Sequence, residues 1–146
     1  MISWLRLEIK RNFKILGLEH VAVAVESNKK IHNFFTDILN IDFLGSESVL
    51  SEKVDTSIYD VGNAKIETLM ATDEQSVINK FIQKRGQSLH HIALLVDNIF
   101  EAIAYLNGMN IKLVYNEPRI GADKKIITFI DPIETPGLLI ELCQDK

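Results

Sequence analysis

Two segments of the sequence resemble each other: LEHVAVAV at residues 18–25 and LHHIALLV at residues 89–96. Aligning their leading leucines places His20 on His91, 71 residues further along the chain. In both segments apolar side chains occupy every second position, which is typical of a half-buried strand. The sequence therefore contains an internal duplication, and each copy has a strand with a histidine near its start.

A second pair of similar segments closes each copy of the duplication. KIETLM at residues 65–70 matches LIELCQ at residues 139–144, so that Glu67 falls on Glu141. Each copy thus begins with a histidine-bearing strand, continues through a helix and two strands, and ends with a glutamate-bearing strand. This order of elements is a βαβββ module.

Two βαβββ modules, about residues 17–86 and 87–146, predict an α+β fold with eight mainly antiparallel strands. We expect these strands to form one curled mixed sheet around a cleft. Residues 17–146 form one domain in this interpretation, and residues 1–16 form a basic N-terminal extension. After the histidine strands, the remaining predicted strands lie near residues 41–45, 53–60, 64–70, 111–116, 125–130 and 137–143. Apolar stripes at helical spacing predict helices around residues 31–38, 77–82 and 99–106.

The composition limits the classes of function. With 146 residues, 47% of them apolar and 25% charged, the chain has the composition of a globular domain. The net charge is −4, although the first sixteen residues carry four basic side chains and one acidic side chain. An acidic domain is a poor match for a nucleic-acid backbone, and no apolar run approaches the ~20 residues that span a membrane. We therefore expect neither a nucleic-acid partner nor a membrane partner.

Cysteine usage indicates a reducing compartment. Cys143 is the only cysteine, so the chain has no internal disulfide. It lies near Glu141 but has no activating base beside it in the sequence, and we interpret it as a buried small hydrophobe. The predicted location is the cytoplasm.

Four polar side chains recur in register on the otherwise apolar strands: His20, Glu67, His91 and Glu141. A single strand histidine is more often a core residue, and a single strand glutamate more often faces solvent, but their recurrence in both modules favours a shared site. Two imidazoles and two carboxylates suit a divalent transition metal. An octahedral ion held by four ligands keeps two positions for a bidentate substrate, whose adjacent C–H bond it would acidify.

Two further histidines are interpreted differently. His90 points away from His91 if the strand is regular, which places it at the rim of the site or behind the ligands. His32 lies beside the apolar stripe of the first predicted helix, and we expect it to be solvated.

Four blocks carry a resemblance to a known family: LEHVAVAV, SVINKFIQKRGQSLHHIALLVDNI, EPRIGADKKIITFIDP and GLLIEL. They resemble the methylmalonyl-CoA epimerase family of the glyoxalase-like, or vicinal oxygen chelate, superfamily, from Gly17 to the end of the chain. The resemblance implies the paired βαβββ fold, a homodimer and a divalent metal held by the four residues above. Cobalt is the metal expected first, with manganese, nickel or zinc as alternatives.

The resemblance also implies a reaction, the transfer of a proton at C2 of methylmalonyl-CoA or a similar 2-carboxyacyl-CoA through a chelated enediolate. The substrate is then a small acyl-CoA molecule. Glu141 is the expected catalytic base as well as a ligand, and Glu67 stands where some members have Gln.

The sequence departs from the family at the second base. An ungapped count from His20 places Thr56 where some members have a third-strand glutamate, with Asp55 alternating to the other face and Glu47 and Glu52 on a loop. Asp131-Pro132 also replaces the His-Pro of the family. These departures leave two alternatives open: another glyoxalase-type isomerase or lyase, and a non-enzymatic small-molecule binding protein of the same fold.

Overall fold

The first module is built around the strand that carries His20. In the computed structural model, which describes residues 8–146, its alternating apolar side chains form a strand as predicted. The elements are β1 (Ile15–Ala24), α1 (Lys29–Asn33), a π-helical turn (Phe34–Ile38), β2 (Asp42–Val49), β3 (Val54–Asp60) and β4 (Lys65–Ala71). The π-helical turn was not predicted. It winds more residues into each turn than an α-helix does, and Phe34 and Ile38 of the expected apolar stripe are exposed.

Helix α2 (Val77–Arg85) connects the two modules. It begins after Ser76, whose hydroxyl accepts a hydrogen bond from the Ile78 N–H at 3.2 Å. It ends at Gly86, whose φ of 74° lies in the left-handed region that favours glycine.

The second module repeats the order of the first with a shorter strand. Its elements are β5 (Ser88–Val96), α3 (Ile99–Gly108), β6 (Arg119–Ile120), a 3₁₀ turn (Ala122–Lys124), β7 (Ile126–Ile130) and β8 (Ile140–Gln144). The predicted strand at 111–116 is wrong, because that segment meets β7 only at the isolated Leu113–Ile130 bridge and its flanking hydrogen bonds. Pro118, which has no N–H to donate, separates this segment from β6.

The eight strands form one mixed sheet in the order β2-β3-β4-β1-β5-β8-β7-β6. The modules join along the antiparallel β1–β5 pair, and within each module the first and last strands are parallel. Ala22 lies opposite Glu67 and Ala93 lies opposite Glu141, so each alanine two residues after a histidine faces a glutamate. The predicted α+β fold with a curled eight-stranded sheet is confirmed.

The curl brings the two ends of the sheet close together. The backbone N–H of Asp123, in the 3₁₀ turn of the second module, donates to Glu47 Oε1 on β2 at 2.5 Å. The Lys65 ammonium of β4 contacts the Asp123 carboxylate at 3.0 Å. These contacts join the two ends of the sheet, so its concave face forms a cleft.

Three register shifts interrupt the central β1–β5 pair, one at Leu16 and two bulges beside His20 and His91. Leu18 pairs with Leu94 and His20 with Ala93, so Glu19 is an extra residue on β1. The second bulge has the same form on the other strand, with His90 as the extra residue of β5. Glu19 and His90 are equivalent in the duplication, and each of these two bulges lies directly before a histidine.

Apolar clusters on both sides of the sheet hold these strands in place. Ala22, Ala24, Val54, Leu69 and Ile78 pack beneath α2, and a second cluster around Val96, Ile99, Ala102, Ile103 and Leu142 packs beneath α3. Within residues 8–146, no helix combines the length and apolar composition needed to cross a membrane.

The boundary between an extension at 1–16 and a domain at 17–146 stays a prediction. Residues 1–7 of the predicted extension lie outside the described residues, and β1 already begins at Ile15. Phe13 packs against the cluster beneath α3, and the Lys14 N–H donates to Asp97 at 2.7 Å.

Candidate metal centre

The four predicted ligands lie together at the floor of the cleft. His20 Nε2 is 3.1 Å from His91 Nε2, 3.5 Å from a Glu67 carboxylate oxygen and 3.8 Å from a Glu141 carboxylate oxygen. His91 Nε2 lies 3.0 Å from the same Glu141 oxygen. His20, His91 and Glu141 thus offer donor atoms that all lie within 4.8 Å of one another, and Glu67 adjoins this group through its contact with His20.

Burial governs the electrostatics of this cluster. All four residues are buried, and burial raises the pKa of both Glu67 and Glu141 to about 7. Burial and the neighbouring His20 lower the pKa of His91 to about 3. Burial also acts to lower the pKa of His20, but a hydrogen bond to Glu19 and the nearby carboxylates outweigh it and raise that pKa. The cluster therefore combines one imidazole that favours a charge, one neutral imidazole and two acidic groups.

Glu19 is a buried residue beside the cluster that the sequence interpretation missed. Its carboxylate hydrogen-bonds to His20 Nδ1, on the opposite side of the ring from the cluster. Burial acts to raise the pKa of Glu19, but His20 and the ammonium groups of Lys65 and Lys125 lower it to about 2. The signal in the sequence was a charged residue inside an apolar strand, but regular alternation would have turned it away from His20.

His90 occupies the corresponding place behind His91. The two Nδ1 atoms are 2.8 Å apart, and the His90 ring packs edge-on against Phe81 at a centroid distance of 4.7 Å. Burial lowers the pKa of His90 to about 4, so a neutral ring faces His91. The assumption of a regular strand is wrong here, because the bulge turns His90 toward its neighbour.

A cavity of about 440 Å³ opens directly onto the cluster. Its walls are mostly apolar, and the side chains nearest its floor include Val54, Leu69, Ile127, Phe129 and Leu139. Glu67, His91 and Glu141 also line this cavity. A small ligand in the cavity would therefore reach the cluster while most of its surface is shielded from water.

The structure distinguishes among the residues considered as the second base. Thr56 is buried in the cavity wall as its strand position predicts, whereas Asp55 accepts a hydrogen bond from Ser48 at 2.5 Å and is absent from the wall. Glu52 lines the cavity. Its carboxylate accepts a hydrogen bond from the Tyr115 hydroxyl at 3.2 Å and pairs with Arg119 at 3.4 Å.

Two other predictions concern residues near the site. Cys143 is buried and free, and burial raises the pKa of its thiol, as expected for an inert small hydrophobe. His32 is half-buried rather than solvated, since its Nδ1 lies 2.9 Å from the Tyr59 hydroxyl on the outer side of the sheet.

Comparison with known proteins agrees with this geometry. Residues 19–129 match the family model described as the glyoxalase/bleomycin resistance protein/dioxygenase superfamily. The mitochondrial methylmalonyl-CoA epimerase of Mus musculus is 33% identical over 133 residues, which cover 90% of this chain and 75% of that protein. The chain belongs to the methylmalonyl-CoA epimerase family, a family of isomerases.

Two further proteins are similar to this chain, one in sequence and one in structure. The uncharacterized protein YqjC of Bacillus subtilis is 37% identical over 129 residues, which cover 88% of this chain and 92% of that protein. The crystal structure of methylmalonyl-CoA epimerase from Mycobacterium tuberculosis superposes with a TM-score of 0.87 at 29% identity, covering 90% of this chain and 89% of that one. The resemblance identified from the sequence blocks is confirmed.

Proposed function

We propose that this chain epimerises methylmalonyl-CoA, or a similar 2-carboxyacyl-CoA, by moving a proton at C2 with the help of a divalent metal. The observation that carries the proposal is the buried cluster of His20, Glu67, His91 and Glu141 at the floor of an apolar cavity. Family membership supports the reaction class, since the relatives named above include epimerases of methylmalonyl-CoA.

The donor set fits a divalent metal. Ligand atoms with metal bonds of about 2.0–2.2 Å lie roughly 3 to 4 Å from one another, and the four donors here are 3.0 to 3.8 Å apart where they contact. Two buried carboxyl groups and two imidazoles also carry a large desolvation cost that a cation would offset. Cobalt is our first choice of ion, with manganese, nickel and zinc as alternatives that the same ligands accept.

A metal at this site would supply Lewis acidity that makes the C2–H bond of a chelating acyl thioester more acidic. Glu141 is placed to take that proton, because its carboxylate faces the cavity and its pKa of about 7 suits proton exchange near neutral pH. The apolar wall keeps water away from the reacting carbon, and the acyl portion of the substrate occupies the cavity.

Inversion at C2 needs a second acid–base group, and Glu52 is our candidate. It reaches the cavity wall from the turn between β2 and β3, in the first module, whereas Glu141 lies on β8 in the second. Its side chain is 28% exposed, so it can exchange protons with solvent between turnovers. Thr56 has no comparable basicity, and Asp55 does not line the cavity.

Exchange of the C2 proton tests the reaction. We would incubate the full chain with one epimer of methylmalonyl-CoA and Co²⁺ in deuterated water, and follow deuterium at C2 and the ratio of epimers. We expect complete exchange and an equal mixture, with metal-stripped protein as the control. Exchange of the C2 proton no faster than in the metal-stripped protein would contradict the proposed reaction.

Glu52→Gln tests the second base separately. We expect epimerisation to fall by about 100- to 10,000-fold, while Glu141 still exchanges the proton of one epimer. Glu47→Gln, on the same hairpin but outside the cavity wall, is the matched control and should epimerise normally. Equal epimerisation by both variants would assign the second proton transfer to another group.

The buried Thr56 favours one second candidate function. A glyoxalase-type isomerase or lyase that uses Glu141 as its single base needs no partner at the position of Thr56. Turnover of a hemithioacetal with no exchange on the acyl-CoA would select this alternative.

We further propose a homodimer, supported by exposed apolar side chains on β1 and on the π-helical turn. Leu16 and Leu18 are 58% and 43% exposed, and Phe34 and Ile38 are 51% and 69% exposed. Light scattering of the purified chain should give twice the monomer mass of 16.6 kDa; a monomeric mass would contradict this part of the proposal.

The proposed location is the cytoplasm. The free, buried thiol of Cys143 is compatible with a reducing compartment. Localisation of a tagged full chain by cell fractionation would test this assignment, and recovery in an oxidising compartment would oppose it.

A further inference from the structure

We propose that Glu19 is a positioning residue of the metal centre, which holds the His20 ring so that Nε2 faces the ion. This inference rests on the proposed metal site and adds a residue to it. Glu19 does not contact the cavity, and it acts only through the ring of His20.

The first step of the argument is the backbone. Glu19 and His20 are adjacent, and in a regular strand their side chains would lie on opposite faces of the sheet. The β1 bulge removes this alternation, so both side chains are buried on the same side of the strand. A bulge re-aims one side chain at the expense of a ladder hydrogen bond, and such features are common next to active sites.

The second step is the group of charges that holds Glu19. Its second carboxylate oxygen lies 3.2 Å from Lys65 Nζ and 3.6 Å from Lys125 Nζ. Lys125 is itself buried and pairs with Asp145, and both lysines contact Asp123. One cation at the start of β4 and one just before β7 thus compensate a buried carboxylate that would otherwise be costly.

The third step is the direction of His20. A carboxylate can only accept, so the Nδ1 that contacts Glu19 carries a proton, and Nε2 is the nitrogen left to bind an ion once it holds no proton. Nε2 lies 3.1 Å from His91 Nε2 and 3.5 Å from a Glu67 carboxylate oxygen. Metal-bound histidines commonly have this arrangement, in which a carboxylate behind the ring fixes the tautomer and strengthens the ligand.

The experiment measures metal affinity without turnover. Co²⁺ binding to the full-length chain is followed by competition with a chelating indicator, for the wild type and for Glu19→Gln. We expect the variant to bind Co²⁺ about 10- to 100-fold more weakly. The matched control is Asp145→Asn, which removes one charge from the same network but touches neither Glu19 nor His20; we expect a change of about twofold or less because this pair is solvent-exposed on one side.

A second measurement reports the proton itself. A correlation spectrum of the ¹⁵N-labelled imidazoles in the wild-type chain without added metal should show the His20 proton on Nδ1. Glu19→Gln should shift this signal and Asp145→Asn should not. The wild-type spectrum remains a test even if Glu19→Gln does not fold.

The outcomes separate this inference from the proposed function. If the wild type binds Co²⁺ and epimerises its substrate, an unchanged Co²⁺ affinity in Glu19→Gln would overturn only the proposed role of Glu19. An unprotonated His20 Nδ1 in the wild type would do the same. A wild type that binds no Co²⁺ would remove both the metal site and its positioning residue.

Discussion

The two modules present the same pair of proposed ligands, a histidine and a glutamate, but support their histidines differently. His20 is backed by the carboxylate of Glu19, whereas His91 is backed by the neutral ring of His90, which packs on Phe81. The bulge, the histidine and the alanine opposite a glutamate are common to both modules. Strand register therefore fixes where the ligands point, while the residue at the bulge sets the charge behind each ring.

The two modules therefore present the same residue types toward the cleft but different residue types behind the histidine rings. On the side of the first module, Lys65 and Lys125 balance the anionic Glu19. In the second module, burial keeps the pKa of His90 low, and no compensating ion pair is needed. The following predictions compare equivalent positions in the two modules.

The largest effect is expected at the ligand histidines. His91→Ala and His20→Ala each remove one of four donors. We expect each to weaken Co²⁺ binding by more than the roughly 100-fold that removal of a residue behind a ligand can cost. Indicator competition measures both. A loss of less than about tenfold in either variant would break the equivalence of the two histidines.

The two glutamates should differ in activity. Glu141→Gln removes a ligand charge and a base, so kcat should fall by about 100- to 10,000-fold. Glu67→Gln is the matched control, because it places at this position the residue that some family members have, and it should retain most of the activity. Steady-state kinetics and metal affinity are measured in parallel; equal losses of activity would make Glu141 a ligand only.

The two apolar clusters should contribute to one folding unit. Ile78→Ala on α2 and Ile99→Ala on α3 each open a cavity at a fully buried position, and we expect each to lower the free energy of unfolding by about 2–5 kcal/mol. Urea unfolding with hydrogen exchange shows whether both modules lose protection together. Separate unfolding transitions for the two modules would contradict the expectation that the β1–β5 pair joins them into one cooperative unit.

The smallest effect is expected behind His91. His90→Asn keeps a hydrogen-bond acceptor near His91 Nδ1 and changes no charge, so Co²⁺ affinity should fall by less than about tenfold. The comparison with Glu19→Gln is the informative one. A larger loss in His90→Asn than in Glu19→Gln would reverse the order of the two supports.

The duplicated strands and the convergence of the four proposed ligands could be predicted from the sequence because they depend on periodicity. Alternation of apolar residues identifies a strand and its buried face, and the repeat places His20 and Glu67 in register with His91 and Glu141. Register then determines convergence, since a strand shifted by one residue would turn every side chain to the other face.

The supporting residues could not be predicted in the same way. Regular alternation predicts that Glu19 and His90 turn away from the histidines beside them, and only the bulges, which the apolar pattern does not reveal, turn both toward those histidines. Lys65 meets Glu19 because β4 pairs with β1, whereas Lys125 lies just before β7, a strand that does not pair with β1. The short β6 was also missed, because its position depends on the loop before it rather than on alternation.

X-ray absorption at the cobalt edge, combined with a Co²⁺ titration of the full-length chain, tests the duplicated ligand set most directly. We predict saturation at one ion per chain and a coordination shell with two imidazole nitrogens and otherwise oxygen donors. A shell with one imidazole or none, or a titration without saturation, would contradict it.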